Sequence, residues 1–85
     1  MAVAAHDIWI SQQGLRNAAG EWCCGAGDCF VIAPTNVNMN GSGYQLFGRE
    51  MVPFQETQPS PDGAFWRCQR PDGTRRCFFA PPPGS

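Results

Sequence analysis

Five cysteines in an 85-residue chain are the strongest chemical signal in the sequence. Cys23, Cys24 and Cys29 lie close together, and Cys68 and Cys77 follow much later. Thiols in this number form disulfides in an oxidising compartment, or they bind a soft metal ion such as Cu(I) or Zn²⁺. We expect disulfides, because the spacing lacks the Cys-x2-Cys motif of zinc and thioredoxin-like sites. The alternative is a metal-binding or thiol-active protein that uses the Cys23, Cys24 and Cys29 cluster.

Other side chains with catalytic potential do not form a recognisable set. His6 is the only histidine and lies close to the start of the sequence, which argues against a hydrolytic triad. The seven carboxylates are scattered along the chain, and their spacing predicts no pair for glycoside hydrolysis. The sequence therefore favours a non-enzymatic protein, and it assigns no catalytic residue, cofactor or metal ligand.

Arginine and aromatic side chains are concentrated near the end of the sequence. Residues 64–79 contain four of the six basic residues and have a net charge of +3 (four Arg and one Asp). Arginine and tryptophan are favoured at protein interfaces, so this segment is a candidate docking site for a protein or a cell-envelope component. The alternative is that its charges only keep a hairpin edge soluble. The candidate partner-binding residues are Trp66, Arg67, Arg75, Arg76 and Phe78.

Size and composition exclude several classes of protein. A chain of 85 residues makes one small domain, which buries too little surface to be very stable without cross-links. A net charge of −1 and the lack of lysine argue against nucleic-acid binding. Membrane insertion is not expected either, because no apolar run approaches the ~20 residues that span a bilayer.

The start of the sequence favours export. Val3–Ala5 resembles the small-residue end of a signal peptide cut before His6. Neither a basic nor a long apolar region precedes these residues, so we interpret residues 1–5 as a residual signal-peptide end or an artificial start. A single β domain is predicted over residues 6–80, followed by an extended proline-rich tail over 81–85. The expected location is periplasmic or secreted, alone or as a subunit of a larger assembly.

Short β-prone runs separated by glycine, proline and asparagine predict an all-β fold. We expect a small antiparallel meander with long loops, held together by disulfides, with a partial barrel as the alternative. The most clearly predicted element is the last hairpin, in which residues 64–70 and 74–79 flank Pro71-Asp72-Gly73. Further strands are predicted at 8–10, 29–32, 37–39 and 44–47.

The hairpin limits how the cysteines can pair. A three-residue loop followed by regular pairing places Cys68 opposite Arg76, so that Cys68 and Cys77 lie on opposite faces and cannot bond to each other. Adjacent Cys23 and Cys24 are also poor partners. Ten arrangements of two bonds and one thiol remain, and we favour those in which Cys68 and Cys77 each bond to the earlier group. Each such bond would contribute about 4 kcal/mol by loop entropy.

Several of these features occur together in one known group of proteins. The chain resembles a family of small exported five-cysteine proteins of alphaproteobacteria, especially rhizobial relatives, over roughly residues 6–85. The resemblance implies an exported, disulfide-bonded domain, and it supplies no established catalytic residue. The shared features are His6-Asp7, Cys23-Cys24 with Asp28-Cys29, Pro59-Ser60-Pro61-Asp62-Gly63, Trp66-Arg67-Cys68 and Arg76-Cys77-Phe78-Phe79-Ala80-Pro81-Pro82-Pro83.

Overall fold

The computed structural model describes residues 14–17, 19–23 and 28–81, and the regular elements of this part of the chain are strands and short 3-10 turns. The 3-10 turns are Pro34–Asn36 and Phe54–Glu56. No helix within these residues is long and apolar enough to cross a bilayer. The all-β prediction is confirmed. The strands are β1 (Asp28–Ile32), β2 (Val37–Met39), β3 (Gly43–Leu46), β4 (Glu50–Pro53), β5 (Thr57–Pro59), β6 (Phe65–Gln69) and β7 (Arg75–Ala80).

The strands form two sheets, which the sequence analysis did not predict. The first sheet has the order β1-β6-β7-β5, and the second has the order β2-β3-β4. Neighbouring strands are antiparallel except β5 and β7, which run parallel. Within the described residues the sheets do not close into a barrel. Strands appear where they were predicted around 29–32, 37–39 and 44–47, whereas the strand predicted at 8–10 lies outside the described residues.

The β6–β7 hairpin has the predicted loop but an irregular register. The amide of Arg70 donates a hydrogen bond to the Thr74 carbonyl at 2.8 Å, and Gly73 adopts a φ of 90° at the end of the turn. Gln69 then pairs with Arg75, but Cys68 pairs with Cys77, so that Arg76 is the extra residue of a β-bulge. The prediction that Cys68 and Cys77 lie on opposite faces is therefore wrong, because the bulge shifts the alternation by one residue.

Both cysteines of the hairpin consequently lie on one face of the four-stranded sheet. Cys77 is bonded to Cys23. Cys68 is bonded to Cys29, the residue of β1 with which it pairs in the sheet. The bonds span sequence separations of 54 and 39 residues. The buried cluster on this face consists of Cys23, Cys29, Trp66, Cys68, Cys77 and Phe79, with Leu15 and Ala64 packed against it.

The opposite face of the same sheet packs against the three-stranded sheet. Phe78 is fully buried there, its ring centroid 5.5 Å from that of Tyr44 and 6.3 Å from that of Phe65. The first sheet is thus covered on both sides. One side carries the cystines and residues 14–17 and 19–23, which we call the 14–23 segment, and the other side packs against the apolar side chains of the second sheet. The buried cluster on this second face consists of Ile32, Tyr44, Leu46, Val52, Phe78 and Ala80.

The second sheet depends on a close backbone contact at the start of β3. Asn40 shapes the preceding turn, since its side-chain oxygen accepts hydrogen bonds from the amides of Ser42 (2.8 Å) and Gly43 (3.1 Å). A Cβ at Gly43 would lie 2.0 Å from the Val52 carbonyl oxygen. Only glycine lets β3 and β4 approach this closely.

Removing one disulfide tests how far the fold depends on covalent cross-links. The double variant Cys29→Ala and Cys68→Ala should lose about 3 kcal/mol of unfolding free energy, because in the unfolded chain that keeps the Cys23–Cys77 bond the lost cross-link closes a loop of roughly 15 residues. Urea denaturation at neutral pH measures the loss. The unreduced parent protein, unfolded in denaturant, should show no more than one free thiol per chain. Three or more thiols, or an unchanged transition midpoint in the variant, would contradict this account.

Candidate functional site

The structure buries three of the five predicted docking residues of the hairpin, and the other two, Arg75 and Arg76, are partly exposed. Phe78 is fully buried, and Trp66 and Arg67 are each 9% exposed. The Trp66 indole NH donates a hydrogen bond to the Asp62 carboxylate at 2.9 Å. These three residues form no exposed patch, because the sheet they belong to is covered on both faces.

Arg67 and Arg75 join the two sheets instead. The Arg67 Nε donates a hydrogen bond to Glu50 Oε1 at 2.9 Å, and Arg75 Nη1 donates one to the other oxygen of the same carboxylate. Arg75 Nη2 also contacts Glu56 Oε1 at 2.7 Å. Because Glu50 lies on β4 and the arginines lie on β6 and β7, one carboxylate cross-links the sheets.

Arg70 and Arg76 hold the N-terminal segment of the described chain. Arg70 donates two hydrogen bonds to Glu21, and Arg76 Nη1 donates one to the Trp22 carbonyl at 3.2 Å. Asn17 donates one to the Arg76 carbonyl at 2.9 Å. Arg75 thus points to the second sheet and its neighbour Arg76 to the 14–23 segment.

These contacts shift the ionisation of Glu21. Hydrogen bonds from Arg70, and then from Asn17, lower the pKa of Glu21 from 4.5 to about 2. The hydrogen bond to Glu21 in turn raises the pKa of Arg70. Glu21 is therefore ionised at neutral pH and is a poor proton donor or acceptor there.

An arginine-lined cleft lies between the 14–23 segment, the turn before β5 and the hairpin. Its volume is about 510 Å³, and four of the six arginines of the chain line it. Glu56 in the lining, together with Glu21 and Glu50, which pair with Arg70 and Arg75, opposes these four positive charges and leaves a formal excess of one. The lining residues are Arg16, Asn17, Ala19, Gln55, Glu56, Gln58, Arg70, Arg75 and Arg76.

Arg16 differs from the hairpin arginines, because it has no ion-pair partner among the described residues. Its guanidinium carbon lies 4.0 Å from the centre of the Trp22 ring, and the two residues form a β-bridge. Trp22 is 51% exposed. Gly14 lies against the six-membered ring of the indole, where a Cβ would come within 2.8 Å of Trp22 Cζ3. The ring is thus held in place at the surface.

Neither Arg16 nor Trp22 was among the candidate residues predicted from the sequence. The available signal was the turn between them. The side-chain oxygen of Asn17 accepts hydrogen bonds from the amides of Ala19 and Glu21 at 3.0 Å each, and Gly20 adopts a positive φ of 83°. Asparagine and glycine at these positions are typical of a tight reversal, which brings residues 16 and 22 side by side.

The cysteine cluster gives no support for a metal centre among the described residues. Cys23 and Cys29 are both in disulfides. No group of three or more His, Cys, Asp or Glu side chains in the described ranges could hold a metal ion. Cys24 and His6 lie outside these ranges, as do the residues after Pro81.

Comparisons with protein-family models, with curated proteins and with solved structures returned no match. The site is therefore interpreted from its own geometry and charge.

Replacing Arg67 distinguishes a structural arginine from a docking one. Arg67→Ala should cost about 2 kcal/mol of unfolding free energy, because a nearly buried guanidinium is lost and Glu50 keeps only one of its two partners. Thermal and urea denaturation measure the loss. Arg49→Ala, at an exposed position, should change stability by less than about 0.5 kcal/mol. If the two variants were equally stable, Arg67 would not be a structural residue, and a role in docking would be open again.

The Glu21 contacts predict a dependence of stability on acidity. Because the folded-state pKa lies below the ordinary value, the ion pair stabilises the protein fully above about pH 4.5 and loses its effect as the pH falls toward 2. The difference in melting temperature between the parent protein and Glu21→Gln should therefore shrink over this range. Arg70→Gln should raise the pKa of Glu21, measured by NMR titration of its carboxyl carbon. A difference that is constant with pH would refute the role of this pair.

Proposed function

We propose that the protein is an exported, non-enzymatic module that is stabilised by disulfides and docks onto a protein of the cell envelope. The docking surface is the arginine-lined cleft with the Arg16–Trp22 stack at its rim, in place of the buried aromatic residues of the hairpin. The partner contributes an acidic segment to this cleft.

The Arg16–Trp22 stack is the observation on which the proposal rests. Tryptophan and arginine are the residue types most often found at the energetic centre of protein interfaces. Here the ring already contacts both Gly14 and the Arg16 guanidinium. Little side-chain freedom is left to lose on binding, which favours affinity.

The charge of the cleft supports an acidic partner. Arg70, Arg75 and Arg76 are held in place by structural contacts, whereas Arg16 has no ion-pair partner among the described residues and can bind a new carboxylate. Three amide side chains from Asn17, Gln55 and Gln58 add hydrogen-bonding groups to the walls. A protein with a net charge of −1 thus presents a locally cationic cleft.

The proposed location follows from sulfur chemistry. Disulfides persist in the periplasm and outside the cell, whereas cytosolic thiols are kept reduced. Two bonds in a chain of 85 residues favour such a compartment. The resemblance to small exported five-cysteine proteins of alphaproteobacteria is consistent with the same location and remains part of the proposal.

Binding of an acidic peptide tests the docking surface. The peptide hexaglutamate should bind the disulfide-bonded protein and change the fluorescence of Trp22, and added salt should weaken binding because the contact is partly exposed. Arg16→Gln should weaken it by roughly fivefold to tenfold. Trp22→Ala, followed by NMR, should weaken it as well.

Two controls make the outcome decisive. Arg49→Gln removes the same charge outside the lining of this cleft and should weaken hexaglutamate binding much less than Arg16→Gln does. Hexaglutamine lacks the carboxylates and should bind poorly. Equal binding of both peptides, or equal losses in Arg16→Gln and Arg49→Gln, would refute the proposed surface.

A further inference from the structure

A second, smaller cleft lies beside the ion pair that connects the two sheets. Its volume is about 260 Å³. Phenyl rings form part of its walls, and the Arg67–Glu50 pair contributes the polar part. The Arg67 guanidinium carbon lies 6.0 Å from the centre of the Phe30 ring, which fixes this wall against β6. The lining residues are Phe30, Leu46, Phe47, Arg49, Glu50 and Arg67.

Phe47 occupies a backbone position that does not suit phenylalanine. It has a φ of 55°, and the next residue, Gly48, has a φ of 70°. The turn between β3 and β4 thus has the two positive φ values of a type I′ turn, where asparagine or glycine is normally found. Among the described residues, Phe47 is the only non-glycine residue with a positive φ.

This unfavourable conformation is not compensated by burial, because Phe47 is 44% exposed. Its backbone is held by a hydrogen bond of 2.8 Å from its amide to the Asn36 carbonyl. Strained positions of this kind are concentrated at ligand clamps and other functional sites. A half-exposed aromatic ring held in such a position points to a role in contacting another molecule.

Arg49 supplies the charge that defines the ligand. It is exposed, and within the part of the chain that the structure describes it has no ion-pair partner. Arg16 is the other arginine without an ion-pair partner among the described residues. Each of the two is near an exposed aromatic ring, since Arg49 follows Phe47 by two residues and Arg16 stacks on Trp22. The cleft therefore combines an apolar cavity with an available cation at its rim.

We propose that this cleft is a second binding site, which takes one apolar side chain of a partner protein while Arg49 pairs with a neighbouring carboxylate. The cleft is smaller than the cavities of 300 Å³ and more that enclose drug-sized ligands, so its size suits a single large side chain. The two clefts have no lining residue in common. Binding at the second cleft can therefore be tested separately from the function proposed above.

N-acetyl-L-phenylalanine is a suitable probe, because it combines one phenyl ring with one carboxylate. Titrated into the ¹⁵N-labelled, disulfide-bonded protein, it should shift the NMR signals of residues 47–49. The uncharged N-acetylphenylalanine amide should bind roughly threefold to fivefold more weakly, as expected for an exposed ion pair. Phe47→Asn should weaken binding at least tenfold, and its melting temperature should equal or exceed that of the parent, because asparagine tolerates positive φ.

Phe54 provides a matched control, since it is also 44% exposed but does not line the cleft. Phe54→Asn and Arg16→Gln should bind the probe as the parent does. Unchanged binding by Phe47→Asn would overturn the proposal. A clear fall in its melting temperature would also overturn it, because Phe47 would then be a packing residue. Equal affinity for the acid and the amide would overturn the role of Arg49. Loss of hexaglutamate binding at the first cleft would leave this site unaffected.

Discussion

A single inserted residue in the last strand determines how the rest of the molecule is arranged. Because Arg76 is extra, Cys77 moves to the face of the sheet that already carries Cys68, and both cystines form on that side. The opposite face is then left without sulfur and can pack entirely against the second sheet through Phe78 and its apolar neighbours. Two consecutive arginines, Arg75 and Arg76, contact opposite sides of the sheet. A regular hairpin with this sequence would instead place Cys68 and Cys77 on opposite faces.

The six arginines consequently perform two different tasks. The four in the hairpin are ordered by carboxylates and carbonyl groups, and they connect the hairpin to the second sheet and to the 14–23 segment. The remaining two, Arg16 and Arg49, lie outside the hairpin and have no such partner within the described ranges. Arginine is well suited to both tasks, because its planar group binds carboxylates in fixed geometry and also stacks on aromatic rings. Three of the four hairpin arginines, Arg70, Arg75 and Arg76, also line the larger cleft, so one side chain can both stabilise the fold and face the cleft.

Much of the fold could be predicted because it depends on local chemistry. Glycine, proline and asparagine mark the turns, and the short apolar runs between them become β1, β2 and β3. The pairing of strands into two sheets, and the parallel contact of β5 with β7, depend on distant residues and leave no local pattern. The bulge could not be predicted either, because regular and bulged registers of the hairpin have the same turn sequence. The burial of Trp66 and Phe78 could not be predicted for a similar reason, because it depends on how the sheets stack.

The two cystines are nested, since the bond between Cys29 and Cys68 lies within the loop closed by Cys23 and Cys77. The whole second sheet, from β2 to β4, therefore lies inside two covalent rings. A single peptide-bond cut at either of its hairpin tips would open both rings without releasing a fragment, because each side of the cut stays joined to the other through sulfur. In surroundings rich in proteases, such a molecule can be nicked at its most accessible turns and still remain in one piece.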